Sequence, residues 1–345
     1  MRYFSTFSGI GGFEIGIHNA FEATRLLQGI DHTDSSTADI AGGLSSKPLC
    51  VGYSEIDKYA SSVYQKQFGG TNYGDIRKIN AEDLPEFDCL IGGFPCQAFS
   101  IAGNRRGFDD TRGTLFFELA RILKQKQPRL FVFENVKGLL SHDKGRTLTT
   151  IIATIDELGY DCQWQVLNSK NFGVPQNRER IIIVGHLRGT SRPQVFPITS
   201  NHEQDIILPT ITTRVTADSN GSYVRKVAPQ KIIVDSMFEG DGWNKRHESI
   251  RRVYNTEGIS PTVPIGTGGG VMPKINVGQI RRLTPVECER LQGFPDNWTK
   301  FGGDSIGIDD YEISDSQRYK MCGNAVTTNV IQAVFERIFR DEQTL

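Results

Sequence analysis

The sequence of 345 residues lacks long hydrophobic runs and has few cysteines. No stretch approaches the roughly 18 consecutive apolar residues of a transmembrane helix, so no membrane partner is expected. The first residues, MRYFSTF, lack the charged and apolar regions of a secretory signal, which favours a cytoplasmic protein with reduced thiols. The six cysteines are scattered and include no CxxC pair, which argues against a disulfide scaffold and against a structural zinc site.

Net charge is also nearly absent, because 39 Lys and Arg residues face 40 Asp and Glu residues. The charge is unevenly distributed, however. Between Arg188 and Arg282 there are 13 basic and 8 acidic residues, a balance of +5, which leaves −6 on the remainder. A basic segment of this kind is typical of a region that binds a polyanion. A solvated surface explains it equally well, since no continuous run of Lys or Arg decides between the two interpretations.

The sequence does contain 38% hydrophobic residues and 36 glycines, which suits a folded globular protein. Up to residue 185, short apolar strands alternate with helical patterns, as in the strand at 3–7 and the amphipathic helix that begins at Phe13. Strands separated by helices at this spacing predict an α/β fold with a doubly wound, mainly parallel sheet.

The second half of the chain has a different texture. Residues 188–280 lack helical periodicity and carry short Val, Ile and Thr stretches broken by Gly and Pro, which predicts a smaller, loop-rich domain that contains strands. Helices are expected to return near 284–292 and again over 324–339. In the first half, the polar stretch 29–47 is interpreted as a surface insertion.

A glycine-rich turn follows the first predicted strand. Phe7–Gly12 (FSGIGG) connects this strand to the first helix, and glycine lets the backbone turn tightly and approach a ligand. Glu55 ends the second strand, where a carboxylate can bind ribose hydroxyls, and Asp75 ends an expected third strand, where it can receive an adenine amino group. Together they indicate a cofactor that contains adenosine. The turn alone is a weak signal, because many α/β folds use glycine there for packing.

Cys96 follows Pro95 in a tight turn at the end of another predicted strand. At the open edge of a sheet, a thiolate acts as a nucleophile when nearby positive charge lowers its pKa. The alternative is a small buried hydrophobe, the usual role of an isolated cysteine. The segment 98–112 follows with two glycines, three arginines and no periodicity, which predicts a mobile lid that carries donors for phosphates.

Three more charged residues are expected at the same edge. Glu134 comes directly after a buried strand, where a carboxylic acid can protonate a ring nitrogen of a substrate. The alternative is that Glu134 caps the next helix. Arg178 and Arg180 precede the last strand of this half and are separated by one residue, so both can point into the cleft. The alternative is that they form ordinary salt bridges at the entrance of the strand.

Taken in order, these motifs resemble the cytosine-C5 DNA methyltransferases, a family of bacterial restriction-modification and orphan enzymes. The matching segments are Phe7–Gly12, Glu55, Gly74-Asp75, Gly92–Ser100, Arg112–Thr114, Glu134–Val136, Gln176–Arg180, Arg282–Pro285, Leu291–Pro295 and Gly323–Val326. The resemblance implies a Rossmann-like fold that uses S-adenosylmethionine (AdoMet). It implies a catalytic domain over 1–187 and 279–345, and a target recognition domain over 188–278.

The resemblance also implies methyl transfer to carbon 5 of a cytosine flipped out of double-stranded DNA. Cys96 would add to carbon 6 of the ring, and Glu134 would protonate N3. Arg178 and Arg180 would hold the carbonyl oxygen of the base or a flanking phosphate and keep Cys96 ionised. The implied cofactor residues are Phe7, Ser8, Gly9, Ile10, Gly11, Gly12, Glu55, Ile56, Asp75, Ile76, Pro95, Leu115, Asn324 and Val326. The implied DNA contacts are Gln97, Ser100, Arg105, Arg106, Arg112, Arg214, Arg225, Lys226 and Arg251.

Three other interpretations stay open on the sequence alone. A branch of the same family methylates cytosine in tRNA, although the variable region 188–280 favours duplex DNA. A nicotinamide-dependent oxidoreductase would use the glycine turn and Glu55 but would leave Cys96 and Glu134 without a role. A non-catalytic DNA-binding relative is disfavoured while Cys96, Glu134 and Arg178 are all present. The resemblance further predicts a monomer, encoded by a bacterium or a phage, and allows a restriction endonuclease for the same site as a partner.

Overall fold

The computed structural model describes residues 1–27, 47–95, 115–190, 194–198, 231–240, 244–264, 272–303 and 309–341. The predicted lid at 98–112 lies outside this part of the chain, as does the predicted insertion at 29–47 apart from Lys47.

Six strands form a central sheet. They are β1 (Arg2–Thr6), β2 (Leu49–Ser54), β3 (Cys89–Gly93), β4 (Leu130–Val136), β5 (Tyr160–Asn168) and β7 (Glu179–Leu187). Their order in the sheet is β2-β1-β3-β4-β7-β5. The first four are parallel to one another, whereas β7 runs antiparallel to both β4 and β5. The prediction of an α/β fold with a mainly parallel sheet is confirmed.

Helices cover both faces of this sheet. The helices of the described chain are α1 (Gly12–Leu27), α2 (Lys58–Phe68), α3 (Leu115–Lys126), α4 (Arg146–Glu157), α5 (Glu248–Arg251), α6 (Pro285–Leu291), α7 (Asp315–Asn324) and α8 (Thr328–Asp341). Alternate residues of β7 pack against the helices on the two faces of the sheet, because successive side chains of a strand point to opposite faces. Ile182 and Val184 pack with α1 and α8, while Ile181 and Ile183 pack with α3 and α4. None of the helices that the structure describes is long and apolar enough to cross a bilayer.

The strands differ from the sequence prediction in two places. The third parallel strand, expected to end near Asp75, is reduced to a single parallel bridge between Tyr53 and Asn72. β5 was not predicted, because its sequence, YDCQWQVLN, has no continuous apolar run. A strand at the edge of a sheet tolerates this mixture, since part of its surface faces solvent.

The predicted helix over 324–339 is wrong at its start. α7 already ends at Asn324, Ala325 is extended with φ −65° and ψ 150°, and α8 begins only at Thr328. The helix breaks here because Nη2 of Arg178 donates to the carbonyl oxygens on both sides of Asn324. Periodicity cannot reveal a break that a distant side chain imposes.

A second sheet lies in the variable region. Its strands are β8 (Val234–Met237), β9 (Arg252–Asn255), β11 (Lys274–Asn276) and β12 (Ile280–Arg282), in the order β12-β11-β9-β8. Two short strands, β6 (Gln176–Asn177) and β10 (Ser260–Pro261), pair in parallel and connect this region to the entrance of β7. A last short pair, β13 (Phe301–Gly302) and β14 (Tyr311–Glu312), lies beside α2.

Residues 194–198 pack with the central sheet. Val195, Phe196 and Ile198 are buried in the core shared with α1 and α8. The side chain of Gln165 on β5 accepts a hydrogen bond from Ile198 N at 2.8 Å and donates one to Ile198 O at 3.0 Å. The boundary at 187–188 stays a prediction, and this short segment beyond it belongs physically with the central sheet.

Candidate active site

The strand register brings Glu134 and Arg180 to one edge of the sheet, at which β3 also ends. The carboxyl ends of β1 to β4 lie there, and the antiparallel β7 begins there. Gly93 of β3 is paired with Glu134 of β4, and Val136 of β4 with Arg180 of β7. The segments that leave β1, β2 and β3 at this edge begin with Phe7, Glu55 and Phe94. Ligands of open α/β sheets bind at this edge.

Positive φ angles shape the turn after β1. Phe7, Gly9 and Gly11 have φ angles of 50°, 55° and 84°. Gly9 N donates to Glu55 Oε2 at 2.9 Å, which ties the turn to the end of β2.

The glycines of this turn serve two different purposes. A Cβ on Gly11 would lie 2.1 Å from the ring of Phe68, and one on Gly12 would lie 2.8 Å from Val326 Cγ1. Packing therefore explains both of these glycines. A Cβ on Gly9 would meet no atom closer than 4.0 Å, so the backbone there borders open space.

Glu55 and Ile56 offer polar and apolar contacts beside that space. Glu55 accepts from Gly9 N and, at 2.7 Å, from Asp57 N. Burial raises the pKa of Glu55, and these backbone donors oppose the shift. Each carboxylate oxygen keeps a further acceptor position, which suits ribose hydroxyls. Ile56 is 71% exposed and presents an apolar surface that an adenine ring would cover.

The surroundings of Asp75 and Ile76 differ from those expected for two residues that only contact the cofactor. Asp75 accepts from Arg77 N at 3.0 Å and from Arg77 Nη2 at 2.6 Å, and these hydrogen bonds hold its pKa below the usual value. An adenine amino group would share this carboxylate with Arg77. The Ile76 side chain is 3% exposed and belongs to the core beside α3. Gly74 has a φ of 68° and, like Gly9, borders open space.

The other predicted cofactor residues differ in burial. Ser8, Ile10 and Val326 are buried, Leu115 is half-buried, and Pro95 and Asn324 are exposed. Trp298, which the sequence did not indicate, donates from Nε1 to Ile10 O at 2.9 Å. Open space at two glycine backbones, an exposed apolar side chain and free acceptors on Glu55 fit an adenosine-containing cofactor.

Glu134 and Arg180 form an ion pair at this edge. Arg180 Nε lies 2.8 Å from Glu134 Oε1, and the two side chains are only 15% and 13% exposed. Burial raises the pKa of Glu134, while the positive charges of Arg180 and Arg178 act in the opposite direction. A Cβ on Gly93 would lie 2.9 Å from Glu134 Oε2, so a larger residue at the end of β3 would displace this carboxyl group. The turn at 137–140 has no side-chain cap, which removes the helix-cap alternative for Glu134.

Asn135, for which no role was predicted, anchors the start of the cysteine loop. Its Nδ2 donates to Phe94 O at 2.9 Å, and both residues are almost fully buried. Pro95 is the last described residue of this loop, and Cys96 lies outside the described chain. The position of Asn135 next to Glu134 could have revealed its role. Adjacent residues of a strand face opposite sides, so the buried amide of Asn135 needs a partner other than those of Glu134.

The two predicted arginines are separated. Arg180 contacts Glu134, but Arg178 is 2% exposed and donates from Nη2 to the carbonyl oxygens of Gly323 at 3.1 Å and Ala325 at 2.8 Å. Burial, together with the charge of Arg180, lowers the pKa of Arg178 to about 9. The prediction that both arginines point into the cleft is wrong for Arg178, because backbone carbonyls inside the protein bind its guanidinium.

Among the predicted DNA contacts, the structure describes Arg251. It is half-buried, and its Nε donates to Phe238 O at 2.9 Å. The others, which lie outside the described residues, are Gln97, Ser100, Arg105, Arg106, Arg112, Arg214, Arg225 and Lys226. Their roles stay predictions.

Comparisons with known proteins identify the family of the chain. The profile of the family described as C-5 cytosine-specific DNA methylase matches residues 1–340. The type II methyltransferase M1.ScrFI of Lactococcus lactis subsp. cremoris is 36% identical over 346 residues, which cover 96% of this chain and 76% of that protein. The type II methyltransferase M.HhaI of Haemophilus parahaemolyticus is 33% identical over 350 residues, which cover 97% and 93%.

Solved structures share the fold at lower identity. The Dnmt2 methyltransferase of S. pombe has a TM-score of 0.59 at 16% identity and covers 98% of this chain and 97% of its own. A putative DNA modification methyltransferase encoded within an E. coli prophage has a TM-score of 0.59 at 19% identity, with 99% of each chain covered.

The chain shares its fold with solved methyltransferase structures, and its glycine turn and the acidic residue after β2 suit a cofactor that contains adenosine. The chain belongs to the C-5 cytosine-specific DNA methylase family, because the family profile matches nearly its whole length. It transfers a methyl group from AdoMet to carbon 5 of cytosine in DNA. This confirms the resemblance stated above and selects it over the nicotinamide oxidoreductase.

Proposed function

We propose that Cys96, Glu134 and Arg180 carry out the methylation at the carboxyl edge of the sheet. The observation that carries this proposal is the buried ion pair between Glu134 and Arg180. It lies on β4 and β7, directly beside β3, the strand from which the cysteine loop leaves. An acid, a cation and a thiol on neighbouring strand ends suit a reaction on one flat ring.

The reaction needs the thiolate because carbon 5 of cytosine is a poor nucleophile. Cys96 adds to carbon 6, and the displaced electron pair reaches N3, where Glu134 supplies a proton. The resulting enamine is nucleophilic at carbon 5, and bound AdoMet supplies the electrophilic methyl group. After a base removes the proton from carbon 5, Cys96 leaves by β-elimination and N3 returns its proton to Glu134.

The environment of Glu134 suits this proton transfer. Burial raises its pKa, so the carboxyl group keeps its proton at a higher pH than an exposed glutamate. Arg180 binds Oε1, which fixes the carboxyl plane and leaves Oε2 beside Gly93 at the mouth of the edge. A positioned acid of this kind contributes about 10²–10⁴-fold to a rate.

Carbon 6 must be approached from the face of the ring, so the cytosine has to leave the stack of a duplex. We assign sequence readout to the target recognition domain over 188–278 and catalysis to 1–187 and 279–345. Relatives from bacteria and from a Bacillus phage support a bacterial cytoplasmic setting. The type II names of several relatives support a restriction endonuclease for the same site as companion of a monomeric enzyme.

A covalent trap tests the nucleophile. The recognised sequence is first read by bisulfite sequencing of unmethylated genomic DNA treated with the enzyme and AdoMet. A duplex that carries 5-fluorocytosine at that site is then incubated with the enzyme and AdoMet. Fluorine blocks loss of the carbon 5 proton, so an adduct that survives denaturant is expected, with the DNA attached to the peptide that contains Cys96.

Matched variants identify the sulfur atom. Cys96→Ser should abolish the adduct and turnover but leave AdoMet binding nearly intact. Cys162→Ser, on the edge strand β5, serves as the control and should form the adduct normally. An adduct that persists in Cys96→Ser, or that maps to another cysteine, contradicts the mechanism.

A further inference from the structure

A buried polar seam joins the entrance of β7 to the C-terminal part of the chain. We define this seam as Ser169, Gln176 and Arg178 on one side and Gln292 and Thr327 on the other, all with at most 2% exposure. Gln176 Nε2 donates to Leu291 O at 2.9 Å. The hydroxyls of Ser169 and Thr327 are 2.8 Å apart, and Thr327 Oγ1 donates to Gln292 Oε1 at 2.9 Å.

Arg178 is the charged member of the seam and binds the segment around Asn324. Its two acceptor carbonyls, Gly323 and Ala325, flank Asn324, and the next residue, Val326, packs against Gly12 of the turn after β1. Its Nε and Nη1 are buried and have no hydrogen-bond partner among the described residues.

A buried charge with unused donors is a costly way to hold two elements together. Burying it is unfavourable, and an apolar side chain of similar size would fill the same space without that penalty. What an apolar side chain cannot do is bind two carbonyl groups that flank one exposed residue. Arg178 therefore has a positional task that packing alone does not explain.

We propose that Arg178 is a positioning residue that fixes the Asn324 segment against the AdoMet pocket. It acts from the same strand entrance from which Arg180 holds Glu134. Two arginines spaced by one residue thus hold different partners, Arg178 the segment beside the cofactor turn and Arg180 the Glu134 carboxylate. The inference rests on the proposed function only for the roles of Arg180 and Glu134.

Binding measurements separate this role from a DNA contact. In Arg178→Met, the Kd for AdoMet measured by calorimetry without DNA should rise about 10- to 100-fold, the range for loss of hydrogen bonds to a charged group. The salt dependence of DNA affinity should not change, because no phosphate contact is lost. Unchanged AdoMet affinity with a salt slope that falls by about one would instead show that Arg178 contacts a phosphate.

A second seam residue provides the structural control. Gln176→Leu removes a buried hydrogen bond between the same two parts of the chain but leaves the Asn324 segment bound by Arg178. It should lower stability to urea while its Kd for AdoMet stays close to that of the wild type. If Gln176→Leu raises the Kd as much as Arg178→Met does, the effect is general loosening and the proposal fails.

Two further measurements test the proposal if Arg178→Met folds poorly. Arg178→Lys keeps the charge but not the planar guanidinium, so its Kd for AdoMet should rise above that of the wild type by less than the 10- to 100-fold expected for Arg178→Met. Hydrogen exchange of the cofactor-free protein should be faster over 323–327 in Arg178→Lys than in the wild type, and unchanged exchange there contradicts the proposal. Neither measurement involves Cys96, so both remain informative if the covalent mechanism is wrong.

Discussion

At the scale of single residues, the chemistry depends on the surroundings of Glu134. A carboxyl group that pairs with an arginine is ordinarily ionised, because the positive charge favours the anion. Here burial opposes that charge and raises the pKa of Glu134. The ion pair with Arg180 thus fixes the orientation of the carboxyl group, while burial keeps that group protonated to a higher pH.

The pH dependence of turnover should follow from this balance. In the proposed mechanism the protonated form of Glu134 is the active one, so kcat should fall as pH rises through its raised pKa. Arg180 lowers that pKa, and Arg180→Met should therefore move the alkaline limb of the kcat profile to higher pH while reducing kcat. Single-turnover rates across a pH series measure both effects, and a limb that moves to lower pH in Arg180→Met contradicts the assignment.

Replacement of the acid separates proton transfer from hydrogen bonding. Glu134→Ala should lower kcat by about 10²–10⁴-fold, as for loss of a general acid. Glu134→Gln keeps a donor for N3 and should retain more activity, without the alkaline limb. AdoMet affinity is the control, because the residues proposed for the cofactor do not include Glu134. An alkaline limb that persists in Glu134→Gln assigns that limb to another group.

The glycines of the turn after β1 should also respond differently to one methyl group. Gly9→Ala adds a Cβ to open space, so its cost is the left-handed backbone, about 1–2 kcal/mol. Gly11→Ala adds the same strain and a clash with Phe68. Urea unfolding should show the larger loss of stability for Gly11→Ala, and calorimetry should show a weaker AdoMet affinity for Gly9→Ala. Equal loss of stability in the two variants would mean that packing against Phe68 does not determine the conformation of the turn, and that the contacts of the cofactor region do.

At the scale of elements, the close contact of α1 with α8 keeps the C-terminal part on the central sheet. Gly16 of α1 permits this contact, because a Cβ there would lie 2.6 Å from Ile331 Cβ and 2.8 Å from Thr328 O. α8 begins at Thr328, two residues after Val326, which packs on Gly12. The helix pair therefore determines where the Asn324 segment meets the cofactor turn.

Helix propensity and packing make opposite predictions for Gly16→Ala. Propensity alone predicts a gain of about 1 kcal/mol. Overpacking of a core costs about 1–3 kcal/mol, and the backbone carbonyl of Thr328 cannot move aside cheaply. We expect net destabilisation in urea unfolding. Asn19→Ala, at an exposed position of the same helix, is the control and should gain a few tenths of a kcal/mol. A more stable Gly16→Ala would show that α8 can shift away from α1.

The same elements show what sequence can predict. Strand ends are local, so apolar runs followed by a polar residue brought Glu55 and Glu134 to one edge. Glu55 does follow β2, but the prediction that Glu134 comes after its strand is wrong, because pairing with β7 continues β4 to Val136. The direction of β7 and the break after Asn324 depend on partners far along the chain, and periodicity does not contain them. The burial of Arg178 belongs to the same group, because its acceptors lie near the other end of the sequence.

At the scale of the whole molecule, one short joint connects the variable region to the chemistry. Ser260 N donates to Pro175 O at 2.7 Å, and Thr262 Oγ1 donates to Asn177 O at 2.8 Å. Arg178 and Arg180 follow directly along the chain. The entrance of β7, from which both arginines act, thus lies at the contact with the variable region.

Exchange of the variable region should change the recognised sequence and leave the product unchanged. We consider two chimeras that take their insert from the Haemophilus parahaemolyticus relative, one over 188–278 and one over 199–278. Both should methylate carbon 5 of cytosine at the site of the donor enzyme, as read by bisulfite sequencing. The second should be more stable to urea, because it keeps Val195, Phe196 and Ile198 in the core of the central sheet.

Exchange of residues 29–46 is the control and should not alter the recognised DNA sequence. If both chimeras retain the original site, readout lies in the catalytic part. If only the longer exchange changes it, residues 188–198 contribute to recognition.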